Sequence, residues 1–451
     1  MVFSSAIFLF GFLPLTFLGQ FLFRDIRWKN GFLLAASLLF YAAGEPLYVL
    51  LLLGSIALNY CFGLLVARCR RWLPAAVTAN VLLLPVFKYT DFLLGTVNAL
   101  MGLSLPLPGI RLPIGISFFT FQALSYVIDA ARDPSTVQKN PLRLALYISF
   151  FPQLIAGPIV QYGDIAPYLS DRRVTLSGAA TGMRRFLFGL AKKVLIANTL
   201  GGAADAIFAD SGINTPAAWF GLLAYCLQIY YDFSGYSDMA IGLGRMFGFP
   251  FKENFDHPYA AVSLQDFWRR WHISLSTWFR NYVYIPLGGN RKGRMRTYLN
   301  QFIVFFLTGL WHGASWNFVI WGLIHGTALT AEKAVSARGI IPKWAGRFFA
   351  LLVAALAFVF FRTETLPDAG AYFANLFAGG LDGMGRFLPL LTPWRLAVLS
   401  AGLLFSFPVL QKIPRTRAWE CLSYAAAVVL LLLCGAELAA ATFNPFIYFR
   451  F

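Results

Sequence analysis

Residues 47–67 read LYVLLLLGSIALNYCFGLLVA and contain no charged side chain. A helix needs about 20 apolar residues to cross the hydrocarbon core of a bilayer, so this stretch predicts a membrane-spanning helix. A basic cluster of Arg68, Arg70 and Arg71 follows it directly. Further apolar runs with basic ends occur along the rest of the chain. They are continuous rather than alternating in polarity, which favours helices over the strands of a barrel.

The composition indicates the same class for the whole chain. Of the 451 residues, 58% are hydrophobic and only 13% are charged, and the mean hydropathy is +0.64. Soluble domains carry about a quarter charged residues. The net charge of +17 would suggest nucleic acid as a partner of a soluble protein. Here the basic residues flank apolar runs, as the positive-inside rule expects, so the predicted partner is membrane lipid and not nucleic acid.

Following the apolar runs and their charges predicts an all-α, polytopic integral membrane protein with about twelve crossings. It is predicted to form one membrane domain, 1–451, with both termini extracytoplasmic. The first run, 6–23, has no basic residues before it and is followed by Arg24, Arg27 and Lys29. This order is typical of a retained first helix and not of a cleaved signal peptide.

Two segments depart from the pattern of simple crossings. Residues 144–160 are apolar but contain Pro152, Gly157 and Pro158, which predicts a re-entrant element buried in protein. Residues 252–296 are basic and rich in tryptophan, too charged to span. Such a composition predicts helices that lie at the interface or dip into a protein-lined cavity.

His312 lies between two apolar runs, 298–311 and 316–330, which are short for crossings. Short runs predict a thin place in the protein, where both aqueous sides approach one residue. A neutral imidazole there is suited to remove a proton from a hydroxyl nucleophile. Gly313 would allow a substrate to approach the backbone. The alternative is a hydrogen-bonded structural histidine.

The other three histidines have different contexts. If its segment is helical, His272 shares a face with Trp268, and Arg269 and Arg270 beside them are suited to bind the phosphates of a nucleotide-type donor. The alternative is an interfacial anchor helix. His325 is predicted to be a core histidine with its hydrogen bonds satisfied. His257, which precedes a proline, is predicted to lie in a loop.

Two carboxylates, Asp232 and Asp238, lie within a long apolar segment and need partners. Arginines of the 269–296 stretch are the predicted partners. The cysteines form no close pair of metal-ligand spacing, so no metal site is predicted. There is also no P-loop and no nucleophile elbow of the Gly-x-Ser-x-Gly type.

The chain ends in NPFIYFRF, residues 444–451, directly after the last apolar run. Tyr448 would then lie on the outer side of the membrane. One interpretation is an aromatic belt at the membrane surface. The other is an acyl acceptor, because a phenol that a nearby base deprotonates is a competent nucleophile.

Taken together, the motifs resemble the membrane-bound O-acyltransferase (MBOAT) family. The chain is similar in particular to membrane subunits of alginate and peptidoglycan O-acetylation, and to the membrane protein of teichoic-acid D-alanylation. The resemblance covers most of the chain. The stretches that carry it are LPIGISFFTFQ at 112–122, FPQLIAGPI at 151–159, YDFSGYSDMAIG at 231–242, FWRRWHISLS at 267–276, YIPLGGNR at 284–291 and LWHG at 310–313.

The resemblance implies a ring of helices around a thin central core, with a tunnel to the histidine of the Trp-His-Gly motif. It implies that His312 is catalytic and that His272 lines the same tunnel. It implies an acyltransferase of the bacterial inner membrane, with a catalytic core at about 110–335 and a C-terminal acyl-acceptor-like motif at 446–451. In that motif, Tyr448 would carry the acyl group.

The same resemblance implies a cytoplasmic acyl thioester, most simply acetyl-CoA, as donor substrate, with no tightly bound cofactor. The predicted donor-binding residues are Arg269, Arg270, Arg291, Trp268 and Trp311. A periplasmic O-acetyltransferase of the SGNH type is implied as partner, and an alginate-like polysaccharide or peptidoglycan as final acceptor.

Two positions depart from the family pattern. Asn281 stands where relatives often have aspartate, and Gln161 where they often have a basic residue. Two other classes also remain open at this point. Intramembrane carboxylates and histidines also suit a transporter or channel, although no inverted repeat is evident. A third possibility is a scaffold that only recruits a periplasmic transferase.

Overall fold

The computed structural model describes residues 2–210, 212–336, 342–381, 383–414 and 416–440. Within these ranges every regular element is a helix, which confirms the all-α prediction. Short 3₁₀ and π-helical turns join or extend several of the α-helices. The C-terminal motif at 446–451, with Tyr448, lies outside the described residues.

The α-helices are numbered here in chain order. The first twelve are α1 Leu13–Gly19, α2 Ile26–Ala42, α3 Tyr48–Arg68, α4 Leu73–Leu84, α5 Thr90–Met101, α6 Ile116–Arg132, α7 Pro141–Ser149, α8 Phe151–Leu154, α9 Tyr162–Ser170, α10 Leu176–Ala191, α11 Asn198–Ala209 and α12 Thr215–Met246. The remaining helices are α13 Leu264–Arg270, α14 Ile273–Phe279, α15 Arg294–His312, α16 Trp316–Ser336, α17 Lys343–Arg362, α18 Leu366–Phe377, α19 Met384–Phe387, α20 Pro393–Phe405 and α21 Arg417–Ala440.

Five stretches of the described chain are long and apolar enough to cross a membrane. A bent pair, Met384–Leu390 and Pro393–Phe405, would make a sixth if it is counted as one span. The chain is therefore a multi-pass membrane protein by length and composition, and the larger number of about twelve crossings stays a prediction. The five stretches are Tyr48–Arg68, Arg70–Met101, Leu176–Ala209, Lys343–Arg362 and Arg417–Ala440.

The chain divides into two compact units. The first contains Met1–Phe186 and Tyr236–Glu253, and the second contains Leu187–Gly235 and Asn254–Phe451. The core of the first unit is built from phenylalanine rings in mutual contact at 4.9–5.8 Å between ring centres. Its members include Phe3, Phe8, Phe40, Phe151 and Phe247.

The segment predicted to be re-entrant belongs to this first unit. Helix α7 ends at Ser149, Phe150 adopts a non-helical conformation, and the short helix α8 follows. Every residue from 144 to 160 is buried. Irregular backbone at membrane depth requires burial in protein, so the burial part of the prediction is confirmed. Its re-entrant path with respect to the membrane stays a prediction.

The second unit is organised around the hairpin of α15 and α16. The two helices touch through glycines: a Cβ atom on Gly309 would lie 2.4 Å from the carbonyl oxygen of Phe318, and one on Gly322 would lie 2.5 Å from that of Phe305. Such distances admit only glycine, and they bring the two backbones into direct contact. This contact sets the register of His312, at the end of α15, against the rings on α16.

Candidate functional site

Helix α15 ends at His312, and the chain turns through 313–315 before α16 starts at Trp316. Both helices are longer than the apolar runs suggested, with 19 residues in α15 and 21 in α16. Polar and charged residues such as Arg294, Arg296 and Glu332 continue the helices beyond the apolar runs, and the thin place expected around His312 stays a prediction.

Gly313 has an extended backbone conformation and lies against Phe318. A Cβ atom on Gly313 would lie 2.0 Å from the Phe318 ring. The Cβ direction at this glycine is therefore filled by the Phe318 ring, while Gly313 also lines a cavity, so the approach of a substrate to its backbone stays a prediction. Glycine is required here for the packing of Phe318.

The imidazole of His312 is surrounded by aromatic rings. Trp311, Trp321 and Phe361 present their rings edge-on at centre-to-centre distances of 4.9, 5.0 and 5.0 Å. The residue is 4% exposed. Edge-on rings stabilise the imidazole and fix its orientation. The histidine predicted to be catalytic is thus buried and in contact with three rings.

A cavity of about 910 Å³ begins one residue away from this histidine. Its wall includes Gly313 and Phe361, the second of which also contacts the His312 ring. A volume of this size is within the range of small-ligand sites. The other lining residues are Asp205, Phe208, Ala209, Tyr225, Ala314, Ser315, Phe318, Arg362, Thr363, Glu364 and Asp368.

His325 lies one turn beyond Trp321 on α16 and continues the aromatic cluster. Its ring centre is 4.7 Å from Trp321 and 4.9 Å from Trp268. The indole N–H of Trp268 donates to Nδ1 of His325 at 3.4 Å. His325 is 1% exposed, which confirms the prediction of a core histidine. Trp268, predicted to contact the donor, is buried against this histidine.

His272 lies between α13 and α14 with a left-handed backbone, φ 45°. Helix α13 ends at Arg270 and Trp271 is extended, so His272 does not share a helical face with Trp268 as its spacing suggested. Its ring meets Phe233 edge-on at 4.6 Å and Trp311 at 5.8 Å. Trp311 therefore contacts both of the histidines that the family resemblance selected for the site, His312 and His272.

The side chain of Asn254 orients the His272 ring. Oδ1 of Asn254 accepts from the backbone N–H and the hydroxyl of Ser274 at 3.1 and 2.8 Å, and it lies 3.2 Å from Nδ1 of His272. An amide oxygen can only accept, so Nδ1 carries the proton and Nε2 carries a lone pair. Nε2 is buried and has no hydrogen-bond partner among the residues that the structure describes. Burial lowers the pKa of His272 to about 3, which keeps the ring neutral at ordinary pH.

The three arginines of the predicted donor site differ in their surroundings. Arg269 and Arg291 are exposed. Arg270 donates through Nε to Asp266 at 3.0 Å and lies 3.6 Å from a carboxylate oxygen of Asp256. Two of the three are thus accessible to a phosphate, and their contact with a donor stays a prediction.

The two carboxylates of the long helix α12 pair differently from what the sequence suggested. Asp232 forms a salt bridge of 2.8 Å with Lys193, and both side chains are 3% exposed. Asp238 forms one of 2.8 Å with Arg185. The arginines of the 269–296 stretch were the wrong candidates, because these partners lie on the preceding long helical run. Lys193 within the apolar run 186–208 was the signal that could have indicated this pair.

Three residues of the site had no local signal in the sequence. Asn254 orients His272, Phe361 contacts His312, and Glu332 caps helix α13. Each acts on a residue far away along the chain. The predicted loop position of His257, before the 3₁₀ turn Pro258–Ala260, is confirmed.

Known sequences that are similar to this chain support the family resemblance found in its motifs. The sequence profile of the MBOAT, membrane-bound O-acyltransferase family, matches residues 109–341. A Pseudomonas putida protein named "Probable alginate O-acetylase AlgI" is 40% identical, and the match covers 100% of this chain and 100% of that protein. A Helicobacter pylori "Peptidoglycan O-acetyltransferase" is 39% identical over 82% of this chain and 78% of its own length.

A more distant relative is a "Teichoic acid D-alanyltransferase" of Bacillus subtilis. It is 29% identical over 55% of this chain and 66% of its own length. Each of the three relatives is named for the transfer of an acetyl or alanyl group.

Proposed function

Because this chain belongs to the membrane-bound O-acyltransferase family, we propose that it carries an acetyl group from a cytoplasmic thioester across the membrane for O-acetylation of an extracytoplasmic polysaccharide. That it is a membrane acyltransferase follows from the family itself, which removes the transporter alternative. Relatives named for alginate and for peptidoglycan both match over most of the chain, so an alginate-like polymer and then peptidoglycan are the proposed acceptors.

His312 is the proposed general base. The observation that carries this assignment is its position: it is buried among three rings at the end of α15, one residue from a cavity of about 910 Å³. The base removes the proton of the attacking hydroxyl, whose oxygen forms a bond to the acetyl carbon. The carbon–sulfur bond of the thioester breaks, and the departing thiolate takes up the proton. A dry site strengthens this electrostatic assistance.

His272 is the proposed second histidine of the site. Its Nε2 lone pair is buried and has no partner in the described chain, and Trp311 lies in ring contact with both histidines. A buried lone pair of this kind accepts a hydrogen bond from a substrate group at low cost. We propose that it orients the donor or the acceptor and does not itself form a covalent intermediate.

Donor and acceptor reach the site from opposite faces in this proposal. Acetyl-CoA docks against the exposed Arg269 and Arg291 in this proposal, and Arg270, Trp268 and Trp311 are the further proposed donor-binding residues. The attacking hydroxyl is that of Tyr448, which then passes the group to a periplasmic SGNH-type transferase. The bacterial inner membrane is the proposed location, with both termini extracytoplasmic.

The test is acetyl transfer from labelled acetyl-CoA by the full-length protein in vesicles. His312→Ala is expected to lower the rate at least about 100-fold while the protein stays folded and inserted. The loop variant His257→Ala is the matched control and is expected to retain the rate. Normal transfer by His312→Ala would contradict the assignment of the base.

The acceptor role of Tyr448 has a separate test. Mass spectrometry of the C-terminal peptide after incubation with acetyl-CoA is expected to find the acetyl group on Tyr448, and Tyr448→Phe is expected to lose it. A fully active Tyr448→Phe variant would remove the carrier role and leave that of His312 in place.

A further inference from the structure

The cavity next to His312 lies at one end of three helical segments of the second unit. It contacts the last residues of α11 and α17 and the turn that follows α15. Helices α15 and α17 begin with basic residues, among them Arg294, Arg296, Lys343 and Arg347. By the positive-inside rule, the opposite ends, and the cavity with them, face the extracytoplasmic side.

The wall of this cavity has an apolar part and a polar part. Phe208, Phe318 and Phe361 contribute rings, while Asp205, Glu364 and other polar residues are suited to contact water. Water and hydroxyl compounds can therefore enter. A thioester held beside His312 would be hydrolysed if water from such a cavity reached the imidazole.

The side chain of Phe361 lies between the cavity and His312 and contacts both. It lines the cavity, and its ring centre lies 5.0 Å from that of His312. It also contacts Trp321 at 5.6 Å and Phe318 at 4.9 Å. A substitution that removes this ring would open a path between the cavity and the imidazole.

The backbone beside Phe361 is held from two sides. Arg362 forms a salt bridge of 2.7 Å with Asp205 and lies over the Phe208 ring at 5.3 Å. The buried side-chain amide of Asn317 donates to the carbonyl oxygen of Thr363 at 2.7 Å. These contacts restrain the end of α17 and with it the backbone that carries the Phe361 ring.

We infer that Phe361 is the barrier that keeps water of the extracytoplasmic cavity away from His312 and so couples thioester cleavage to acyl transfer. The inference rests on the proposed function of His312. Without the barrier, His312 would remove a proton from water, the water oxygen would bond to the acetyl carbon, and the carbon–sulfur bond would break. The departing thiolate would take up the proton from His312, and the products would be the free thiol and acetic acid, which ionises to acetate.

The test compares Phe361→Ala and Phe361→Leu with the wild type, as full-length protein in vesicles of phosphatidylethanolamine and phosphatidylglycerol. Acetyl-CoA is supplied without polymer or partner protein, and steady-state release of acetate and free thiol is measured. Phe361→Ala is expected to raise the release at least tenfold, and Phe361→Leu less. The double variant His312→Ala/Phe361→Ala is expected to lose the increase.

Phe360→Ala is the matched control, because this neighbouring ring packs on Phe373 at 5.3 Å and does not line the cavity. It is expected to hydrolyse acetyl-CoA like the wild type. A folded Phe361→Ala protein without increased release would overturn the barrier role, and if that variant does not fold, the same result with folded Phe361→Leu would do so. Failure of the wild type to use acetyl-CoA at all, with partner and polymer present, would instead overturn the proposed function together with this inference.

Discussion

The carboxylate of Glu332 accepts the backbone N–H of Leu264 at 2.5 Å, which ties helix α16 to the first turn of α13. Its other oxygen accepts the N–H of Gln265 at 3.0 Å. Two N–H groups that a helix start leaves without intrahelical partners are thus satisfied by a distant acid. Because His325 lies two turns earlier on α16, this contact also holds Trp268 of α13 beside it.

Glu332→Ala is therefore expected to lower the free energy of unfolding by about 2 kcal/mol, since hydrogen bonds to a charged acceptor contribute more than neutral ones. Thermal unfolding in detergent measures the change. The exposed neighbour Lys333→Ala is the control and is expected to stay within about 0.5 kcal/mol of the wild type. Equal midpoints for the two variants would show that the cap contributes nothing.

The glycine contact between α15 and α16 gives a second prediction. In Gly322→Ala, the new Cβ would lie 2.5 Å from a backbone oxygen of Phe305, which cannot move aside. We therefore expect the free energy of unfolding to fall by about 1–3 kcal/mol and acyl transfer to be lost. In Gly326→Ala, one turn later, the nearest atom is 3.2 Å away on the Phe302 side chain. The stability of that variant is expected to stay near that of the wild type, because the higher helix propensity of alanine offsets the close contact.

Unfolding midpoints and transfer rates of the two glycine variants would be measured side by side. A Gly322→Ala protein as stable and active as Gly326→Ala would contradict the close backbone approach.

The buried pair of Lys193 and Asp232 gives a third prediction. Lys193→Met removes this partner of the buried Asp232 carboxylate and is expected to lower the free energy of unfolding by about 3–5 kcal/mol. Lys193→Met/Asp232→Asn removes both charges and is expected to recover most of that loss. A double-mutant cycle of thermal unfolding measures the coupling. Additive losses would show that the two side chains act independently.

The neutral His272 predicts a dependence of stability on pH. Its pKa is about 3 in the folded protein and about 6.5 in the unfolded chain, so between these values only the unfolded chain takes up the proton. The contribution of the neutral His272 to the free energy of unfolding is therefore complete above pH 6.5 and is lost as the pH falls. From pH 7.5 to 5.5 the loss is about 1.4 kcal/mol.

Unfolding of His272→Asn at both pH values tests this contribution. Asparagine tolerates the left-handed backbone and keeps an N–H donor toward Asn254. The variant is expected to lose less stability than the wild type on acidification. His257→Asn is the matched control, because His257 also has a positive φ, of 46°, but lies in a loop. An unchanged pH dependence in His272→Asn would contradict the prediction.

The sequence alone was enough for the class of the protein, whereas the catalytic role of His312 stays a prediction. Long apolar runs specify membrane helices because hydropathy is a property of neighbouring residues, and the all-helical, multi-pass prediction is confirmed on that ground. The Leu310–Gly313 motif selected His312, and its burial at the end of a helix fits that choice. The core position of His325 was also predicted from the sequence, and its burial confirms it.

Only the tertiary structure decided which groups meet. Lys193 pairs with Asp232, Asn254 orients His272, and Phe361 contacts His312, each across a large separation along the chain. The helix break before His272 likewise required the structure, since its left-handed backbone is held by Asn254 and the packed rings. Local sequence encodes helix formation, whereas these contacts arise when faces of distant helices pack together, and their free energies depend on burial that no single segment specifies.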